Sequence, residues 1–175
     1  PTLLVAFESL TDFHAPMAAA HLRAADVPFA VRGETIRFPG DLRADANRTR
    51  YAQVLAHETV ATAGGGSVEA TQALAEAIAP HLDDETRVGL PAILGREDPG
   101  AVREALESRL GLAVFEVPMG PPSLPGLRLE DALYDALDAT GVGLDTGNPV
   151  VGAETADGRV DRVRVERTNT AVPYR

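Results

Sequence analysis

The chain has 175 residues, with 26 acidic and 16 basic side chains, a net charge of -10 at neutral pH and no cysteine. An acidic surface of this kind repels phosphate backbones and anionic lipids, which argues against nucleic acid and anionic membranes as direct partners. The absence of cysteine excludes thiol catalysis, disulfides and cysteine-ligated zinc or iron–sulfur sites within these residues.

The basic residues are all arginine, because the chain contains no lysine. An acid-rich surface without lysine keeps a protein hydrated in concentrated salt, so the composition predicts a salt-adapted source, which we interpret as a halophilic archaeon. An ordinary acidic protein is the alternative. The chain begins at Pro1 without a methionine or a signal peptide and ends at Arg175 after a strand-like pattern, so we expect it to be an internal part of a longer protein.

The first predicted elements are a strand and a helix. An unbroken apolar run at residues 3–7 has the length of a buried strand, and Ser9, Thr11 and Asp12 are candidate caps of the alanine-rich helix that follows to about residue 25. Alternating apolar residues at 28–38 predict a short antiparallel ribbon. Helices are predicted at about 46–61 and 67–82, on either side of three glycines that we interpret as a flexible loop.

The middle of the chain alternates between strand and helix patterns. Residues 88–94 predict a second buried strand, and Asp98 is placed to cap a helix whose apolar residues share one face. Residues 113–117 predict a third strand. Strand, helix and strand in succession are typical of a parallel sheet covered by helices, so we expect the α/β class, with a mostly parallel sheet in a three-layer domain.

Prolines at 118, 121, 122 and 125 precede a helix that is predicted by leucines at 129, 133 and 137. Beyond this helix, residues 142–144, 150–154 and 160–166 predict an antiparallel ribbon, with Asp157 and Gly158 at a tight hairpin turn. The last part of the chain therefore differs in character from the α/β body.

The proline-rich stretch suggests an anion site. Prolines fix the backbone and remove amide donors, so residues 118–126 form a preset connector that brings Ser123, Gly126 and Arg128 to the start of a helix. A helix start with a nearby arginine suits an anionic group. The alternative is a rigid strap between domains with an exposed arginine.

The four histidines have no partner at metal-binding spacing, so no metal site is predicted. His14 follows the carboxyl end of the first predicted strand, where open parallel sheets place ligand sites, and it is therefore a candidate for substrate contact. The alternative is a solvated or half-packed side chain.

Four segments resemble the B-subunit family of anaerobic glycerol-3-phosphate dehydrogenase. In chain order they read LLVAFESLTDFHAPMAAAHL from residue 3, RVGLPAILG from residue 87, LGLAVFEVPMGPPSLPGLRLEDAL from residue 110 and GNPVVGAETADGRVDRVRVE from residue 147. The resemblance covers most of the chain and is weakest at residues 32–71. The proline-rich run is its most specific part.

This resemblance implies a flavoprotein of the fumarate-reductase type, in which a cap domain interrupts a dinucleotide-binding domain. Residues 1–120 would form the cap-like α/β domain, and residues 121–175 a helix and β-ribbon at the edge of the flavin domain. The family's glycine fingerprint and its closing segment are absent from this chain. We therefore expect the full-length protein to bind flavin, FMN or FAD, and the fragment to retain none and to be inactive.

The resemblance also implies an activity for the full-length protein. It would oxidise sn-glycerol 3-phosphate to dihydroxyacetone phosphate and pass electrons through a flavoprotein subunit and an iron–sulfur subunit to quinone. It would be cytoplasmic and peripheral at the inner face of the membrane, which it would touch only through these partners.

In this interpretation Ser123, Gly126 and Arg128 contact the cofactor, and Arg128 and His14 contact the substrate, whereas the sequence indicates no catalytic base. Two alternatives stay open. One is a flavin-bearing electron-relay or scaffold subunit of the same complex. The other is a stand-alone α/β module that binds a small anion.

Overall fold

The computed structural model describes residues 1–174 except 41, 43–45, 63, 122, 168 and 169, and for residues 167 and 170–174 it describes the backbone alone. Contacts divide the chain into two compact units, Pro1–Asp131 and Ala132–Arg175. The assignment of residues 1–120 to a cap and of residues 121–175 to a flavin domain stays a prediction.

The strands and helices are as follows in chain order. The strands are β1 (Thr2–Phe7), β2 (Val31–Ile36), β3 (Thr59–Ala61), β4 (Ser67–Glu69), β5 (Arg87–Pro91), β6 (Ala113–Val117), β7 (Val150–Ala156), β8 (Arg159–Arg167) and β9 (Thr170–Tyr174). The helices are α1 (Ala15–Ala24), α2 (Arg48–His57), α3 (Ala70–Ile78), α4 (Pro99–Leu110) and α5 (Leu124–Ala139), with a short 3-10 helix at Ala79–His81.

The first unit is built around a parallel sheet. Strands β2, β1, β5 and β6 lie side by side in this order, and each neighbouring pair is parallel. Thr2 of β1 is in register with Val31 of β2 and with Arg87 of β5. All six residues of β1 are buried, because the strand lies inside the sheet. The predicted α/β fold with a mostly parallel sheet is confirmed.

Helices lie on both faces of this sheet. Successive side chains of a strand point to opposite faces, so β1 contributes apolar side chains to the clusters on both sides. Leu3, Val5 and Phe7 join the larger hydrophobic cluster, to which α2, α3 and α4 contribute. Leu4 belongs to a smaller cluster with Ala15 of α1. The unit is therefore three-layered, with the larger core on the face opposite α1.

Two stretches that the sequence pattern predicts as helix form strands instead. β3 pairs antiparallel with β4, so α2 ends at His57 and α3 begins at Ala70. The β-branched Thr59 and Val60 favour an extended backbone, and Val60 is buried in the larger cluster. The three glycines lie in the connection between these two strands rather than between two helices.

The antiparallel ribbon predicted at residues 28–38 is also wrong, because these residues contain one strand, β2, which pairs parallel with β1 along its whole length. Gly33 explains how α1 can cover this strand. A Cβ at Gly33 would lie 2.2 Å from the carbonyl oxygen of Ala15, so the helix packs directly against the strand backbone. The predicted strand at residues 88–94 is shorter than expected and ends at Pro91.

The second unit contains an antiparallel sheet of β7, β8 and β9. Asp157 and Gly158 connect β7 to β8 with φ angles of 50° and 74°, as a tight type I′ hairpin turn requires. The predicted turn is confirmed. Residues 142–144 form no strand, although the sequence pattern predicts them as part of the ribbon. Over the part of the chain that the structure describes, no helix is both long enough and apolar enough to cross a membrane.

An ion pair between Glu85 and Arg32 makes the stability of the first unit depend on pH. The Glu85 side chain is 3% exposed, and its hydrogen bond with Arg32 lowers the pKa of the Glu85 carboxyl from 4.5 to about 2. Because the folded-state pKa lies below the unfolded one, this stabilisation is complete above pH 4.5 and is lost as the pH falls toward 2.

We expect the hydrogen bonds of the Glu85 carboxylate, from Arg32 and from backbone amides together, to contribute at most about 3 kcal/mol to the free energy of unfolding, at about 1.4 kcal/mol for each pKa unit. Solvent around the one-third exposed Arg32 side chain reduces the share of the ion pair. Urea unfolding of the wild type and of Glu85→Gln, at one fixed salt concentration, measures this contribution. The difference between the two proteins should shrink as the pH is lowered from 4.5 to 2. A difference that does not change with pH would contradict the prediction.

Candidate functional site

The carboxyl ends of the parallel strands lie along one edge of the sheet. From β1 the chain moves to one side for β2 and to the other side for β5 and β6, so the strand order reverses between β1 and β5. Open α/β sheets bind ligands at the carboxyl edge where such a reversal occurs. The loops that follow β1, β5 and β6 are therefore the candidate site.

The loop after β1 is fixed to α2 by a hydrogen bond between two hydroxyl groups. The oxygens of Ser9 and Tyr51 lie 2.5 Å apart. The Tyr51 side chain is fully buried, with its ring 5.8 Å from that of Phe7 and 4.8 Å from that of Phe38. Burial raises the pKa of the Tyr51 hydroxyl above its usual value, so this group stays protonated at neutral pH.

Arg48, the first residue of α2, connects the loop after β1 to the segment after β6. Its Nη2 lies 2.6 Å from a carboxylate oxygen of Asp12, and its Nη1 donates to the carbonyl oxygen of Gly120 at 2.6 Å. A cavity of about 220 Å³ lies beside this pair, lined by Ser9, Asp12, Asn47, Arg48 and neighbouring residues. The positive charge of Arg48 is therefore compensated by Asp12.

Arg128 of α5 makes a second connection of the same kind. Its Nε and Nη2 donate to the carbonyl oxygen of Gly95, after β5, at 2.9 and 2.6 Å. Its Nη1 and Nη2 donate to the Glu116 carboxylate at 2.5 and 2.9 Å, and Glu116 also accepts the amide of Leu94 at 2.7 Å. The Arg128 and Glu116 side chains are 18% and 16% exposed. Arg128 is thus held by both charge and geometry.

Ser123 and Gly126 lie at the start of α5, which begins at Leu124 and so earlier than the leucine pattern predicts. The hydroxyl of Ser123 accepts a hydrogen bond from the amide of Gly126 at 3.1 Å, which is the geometry of a helix cap. Pro125 is compatible with the first turn of a helix, since its missing amide hydrogen has no partner there in any case.

His14 is the N-cap of α1. Its Nδ1 accepts a hydrogen bond from the amide of Met17 at 3.1 Å. The prediction that Ser9, Thr11 or Asp12 caps this helix is wrong, because Ser9 and Asp12 bond to residues of α2 instead. His14 is nevertheless in the loop after β1, where the sequence pattern placed it.

The structure brings together Ser123, Gly126 and Arg128, which share the first turns of α5. No hydrogen bond or ion pair among the described residues joins them to His14. Their roles in binding cofactor or substrate stay predictions. Glu116 was not predicted as a site residue, although a carboxylate inside the apolar strand pattern of β6 is a signal that it has a partner in the fold.

The start of α1 does not fit the diphosphate of a dinucleotide. Dinucleotide-binding sheets place a glycine-rich turn after the first strand, so that free helix amides face the phosphates. In this chain the loop between β1 and α1 contains no glycine, Pro16 has no amide hydrogen, and the amide of Met17 is bonded to His14. We therefore derive no flavin chemistry from this helix.

Comparison with known proteins shows what the chain is similar to. Residues 1–168 match the family model described as FAD binding domain. A probable B-subunit of anaerobic glycerol-3-phosphate dehydrogenase from Halobacterium salinarum is 55% identical over 172 residues, which are 98% of this chain and 40% of the relative. A B-subunit of anaerobic glycerol-3-phosphate dehydrogenase from Vibrio vulnificus is 34% identical over 86 residues, 49% of this chain and 20% of the relative. No solved structure matches the chain significantly.

The similarity to the Halobacterium protein confirms the resemblance inferred from the sequence and fits the predicted halophilic archaeal source. The chain spans about 40% of the length of that relative. Because the family model matches nearly all of its residues, the chain belongs to the FAD-binding-domain family of flavoproteins.

Proposed function

We propose that the chain is part of a flavin-dependent dehydrogenase that oxidises sn-glycerol 3-phosphate to dihydroxyacetone phosphate. The observation that carries this proposal is the 55% identity, over 98% of the chain, to a protein named as the B-subunit of an anaerobic glycerol-3-phosphate dehydrogenase. A bound flavin, FMN or FAD, would supply the hydride acceptor for this oxidation. The flavin would be held mainly by parts of the full-length protein outside these residues, so we expect the 175-residue chain alone to be inactive.

Electrons would leave the flavin through partner subunits. Both relatives are named as one subunit of a dehydrogenase, which supports a complex of several chains. Iron–sulfur clusters need cysteine ligands, and this chain has no cysteine, so a separate subunit would carry the clusters. We propose a second flavoprotein subunit and an iron–sulfur subunit as partners, with quinone as the acceptor and attachment to the inner face of the membrane through these partners.

Within this chain, we propose that Arg128 contacts the substrate phosphate or the flavin, with Ser123 and Gly126 beside it. Its position supports the proposal, since Arg128 reaches the segments after β5 and at the end of β6, next to the reversal of strand order. Its hydrogen bonds to Glu116 and Gly95 would have to be partly exchanged for bonds to the anion. Substitutions in the Arg128–Glu116 ion pair therefore test directly whether Arg128 contacts the anion.

Arg128→Ala in the full-length protein is expected to raise the KM for glycerol 3-phosphate by about tenfold or more, the loss of one charge-assisted contact. Glu116→Gln breaks the same ion pair but leaves the guanidinium free of a competing carboxylate, so its KM should be no higher than that of the wild type. Thermal unfolding of both variants controls for damage to the fold. Equal increases in KM would contradict direct contact and would make Arg128 a residue that only positions the loops.

His14 is proposed to contact the substrate, and its capping role allows a matched variant. His14→Asn keeps an acceptor for the amide of Met17, because asparagine is among the best N-cap residues. If the imidazole contacts the substrate, this variant should lose activity while its unfolding temperature is preserved. Unchanged kcat and KM in the full-length protein would contradict the contact.

The proposed reaction itself is tested by product formation. The full-length protein assembled with its partner subunits should form dihydroxyacetone phosphate from sn-glycerol 3-phosphate when an artificial electron acceptor is present. The product is measured by chromatography, and the sn-1 enantiomer serves as the control substrate. Oxidation of other polyol phosphates but not of sn-glycerol 3-phosphate would contradict the proposed substrate.

A second candidate function is that of an electron-relay or scaffold subunit. The observation in its favour is that Arg48 and Arg128, the two arginines that connect the loops at the carboxyl edge, are each paired with a carboxylate. Each ion pair is neutral overall, so neither pair offers a net positive charge to attract a phosphate. Reduction of the flavin by a partner subunit, but not by substrate, would favour the relay.

A further inference from the structure

The sheet face that carries α1 is covered over only part of its width. α1 packs over β1 and β2, and within Pro1–Asp131 no other helix contributes a described residue to the hydrophobic cluster on that face. Phe115 of β6 is consequently 37% exposed, and Phe29, which precedes β2, is 36% exposed. Parallel sheets are found almost only with both faces covered, so this half of the face lacks an expected layer.

A groove of about 580 Å³ marks the uncovered region. It is bordered by Ala18 and Leu22 of α1 and runs to Val117 at the end of β6. Its floor includes the ring of Phe115, which lies across β5 at Gly89. A Cβ at Gly89 would lie 2.6 Å from this ring, so the ring occupies the space that a side chain at this position would need.

The rim of the groove carries basic side chains. Arg87 lies with its guanidinium carbon 4.7 Å from the ring centre of Phe29, and its Nε donates to the hydroxyl of Thr2 at 2.7 Å. His21 of α1 also lines the groove. Glu116 also lines the groove, but its charge is compensated by Arg128, which leaves Arg87 as the charged group that an occupant would meet. In a chain of net charge -10, this end of the apolar groove is complementary to an apolar segment that carries acidic residues at its side.

We infer that this groove is the seat of an amphipathic helix from the part of the full-length polypeptide outside these 175 residues. The Halobacterium relative contains the additional length, because the present chain spans 40% of it. The helix would place apolar side chains on Phe115 and Leu22 and acidic side chains near Arg87 and His21. A second copy of the chain fits less well, since a symmetric contact through this groove would bring two basic rims together.

Photo-crosslinking in the full-length protein identifies the occupant. We expect p-benzoylphenylalanine in place of Phe115, and separately in place of Phe29, to crosslink to one segment of the same polypeptide outside the region of these 175 residues. The same group in place of the exposed Glu104 on α4 is the control and should not capture that segment. Mass spectrometry of the crosslinked peptides gives the identity of the segment.

The other outcomes would overturn the inference. Crosslinks from position 115 to residues 132–175 of the same chain, to a second copy of the chain, to a partner subunit or to lipid would show a different occupant. Consumption of the benzophenone at both groove positions on illumination, without any crosslink, would show that the groove is open in the full-length protein.

Discussion

Replacing Gly33 by alanine is expected to lower the free energy of unfolding by about 3 kcal/mol or more. The added Cβ would lie 2.2 Å from the oxygen and 2.3 Å from the carbon of the Ala15 carbonyl, and 2.6 Å from the nitrogen of Pro16. These are backbone atoms at the start of α1, and they cannot move away as the end of a flexible side chain can. The helix would have to move off β2, which would separate Ala15 and Ala19 of α1 from the sheet residues of the smaller hydrophobic cluster.

Gly64→Ala is the matched control, because no atom lies within 4 Å of a Cβ at that position. Its effect on the free energy of unfolding should stay within about 0.5 kcal/mol. Urea unfolding followed by circular dichroism, at one salt concentration, measures both variants. A Gly33→Ala protein as stable as the control would contradict the close packing of α1 on β2.

Tyr51→Ala is expected to cost about 4 kcal/mol, the usual loss when a large buried aromatic side chain is truncated. The ring is fully buried between Phe7 and Phe38, and it connects α2 to the end of β1. The cavity left by the substitution would lie directly beneath the loop after β1. We therefore expect the loss of stability to be accompanied by greater mobility of that loop.

Tyr51→Phe separates the contribution of the ring to stability from the contribution of its hydroxyl. It keeps the packing and removes only the hydrogen bond to Ser9, so it should cost about 1 kcal/mol. The free energies of unfolding of the two variants, measured under the same conditions, give the two contributions. Equal losses in both would contradict the assignment, because they would place all of the effect in the hydroxyl group.

Elements whose geometry depends on neighbouring residues could be predicted from the sequence. Asp98 caps α4 as expected, with its Oδ1 accepting the amide of Ala101 at 2.9 Å. β6 covers the predicted residues 113–117, and the Asp157–Gly158 turn joins β7 to β8. Each of these features follows from side-chain hydrogen bonding, backbone preference or alternation within a few residues.

Elements that depend on a distant partner were predicted less well. β3 and β4 have three residues each, and the β-branched Thr59 and Val60 favour an extended backbone only weakly, so the two strands depend on pairing with each other. β2 forms a parallel strand because β1 offers it a partner and Gly33 admits α1. Neither condition is visible in a local pattern of apolar residues.

The candidate site also has features that could be predicted from the sequence and features that could not. The sequence placed Ser123, Gly126 and Arg128 at a helix start, because these residues are close together in the chain. It could not show that Arg128 binds Glu116 and Gly95, which come from other elements of the fold. Pairings of this kind are set by the order of strands in the sheet.

We propose that the full-length protein oxidises glycerol 3-phosphate at a bound flavin. The most direct measurement is the absorbance of that flavin in the full-length protein, purified alone in high salt without oxygen, before and after addition of sn-glycerol 3-phosphate. We expect the flavin to bleach, and Arg128→Ala to require more substrate for the same bleaching. Flavin that stays oxidised with substrate, yet is reduced by dithionite, would contradict the claim and would assign the oxidation to a partner subunit.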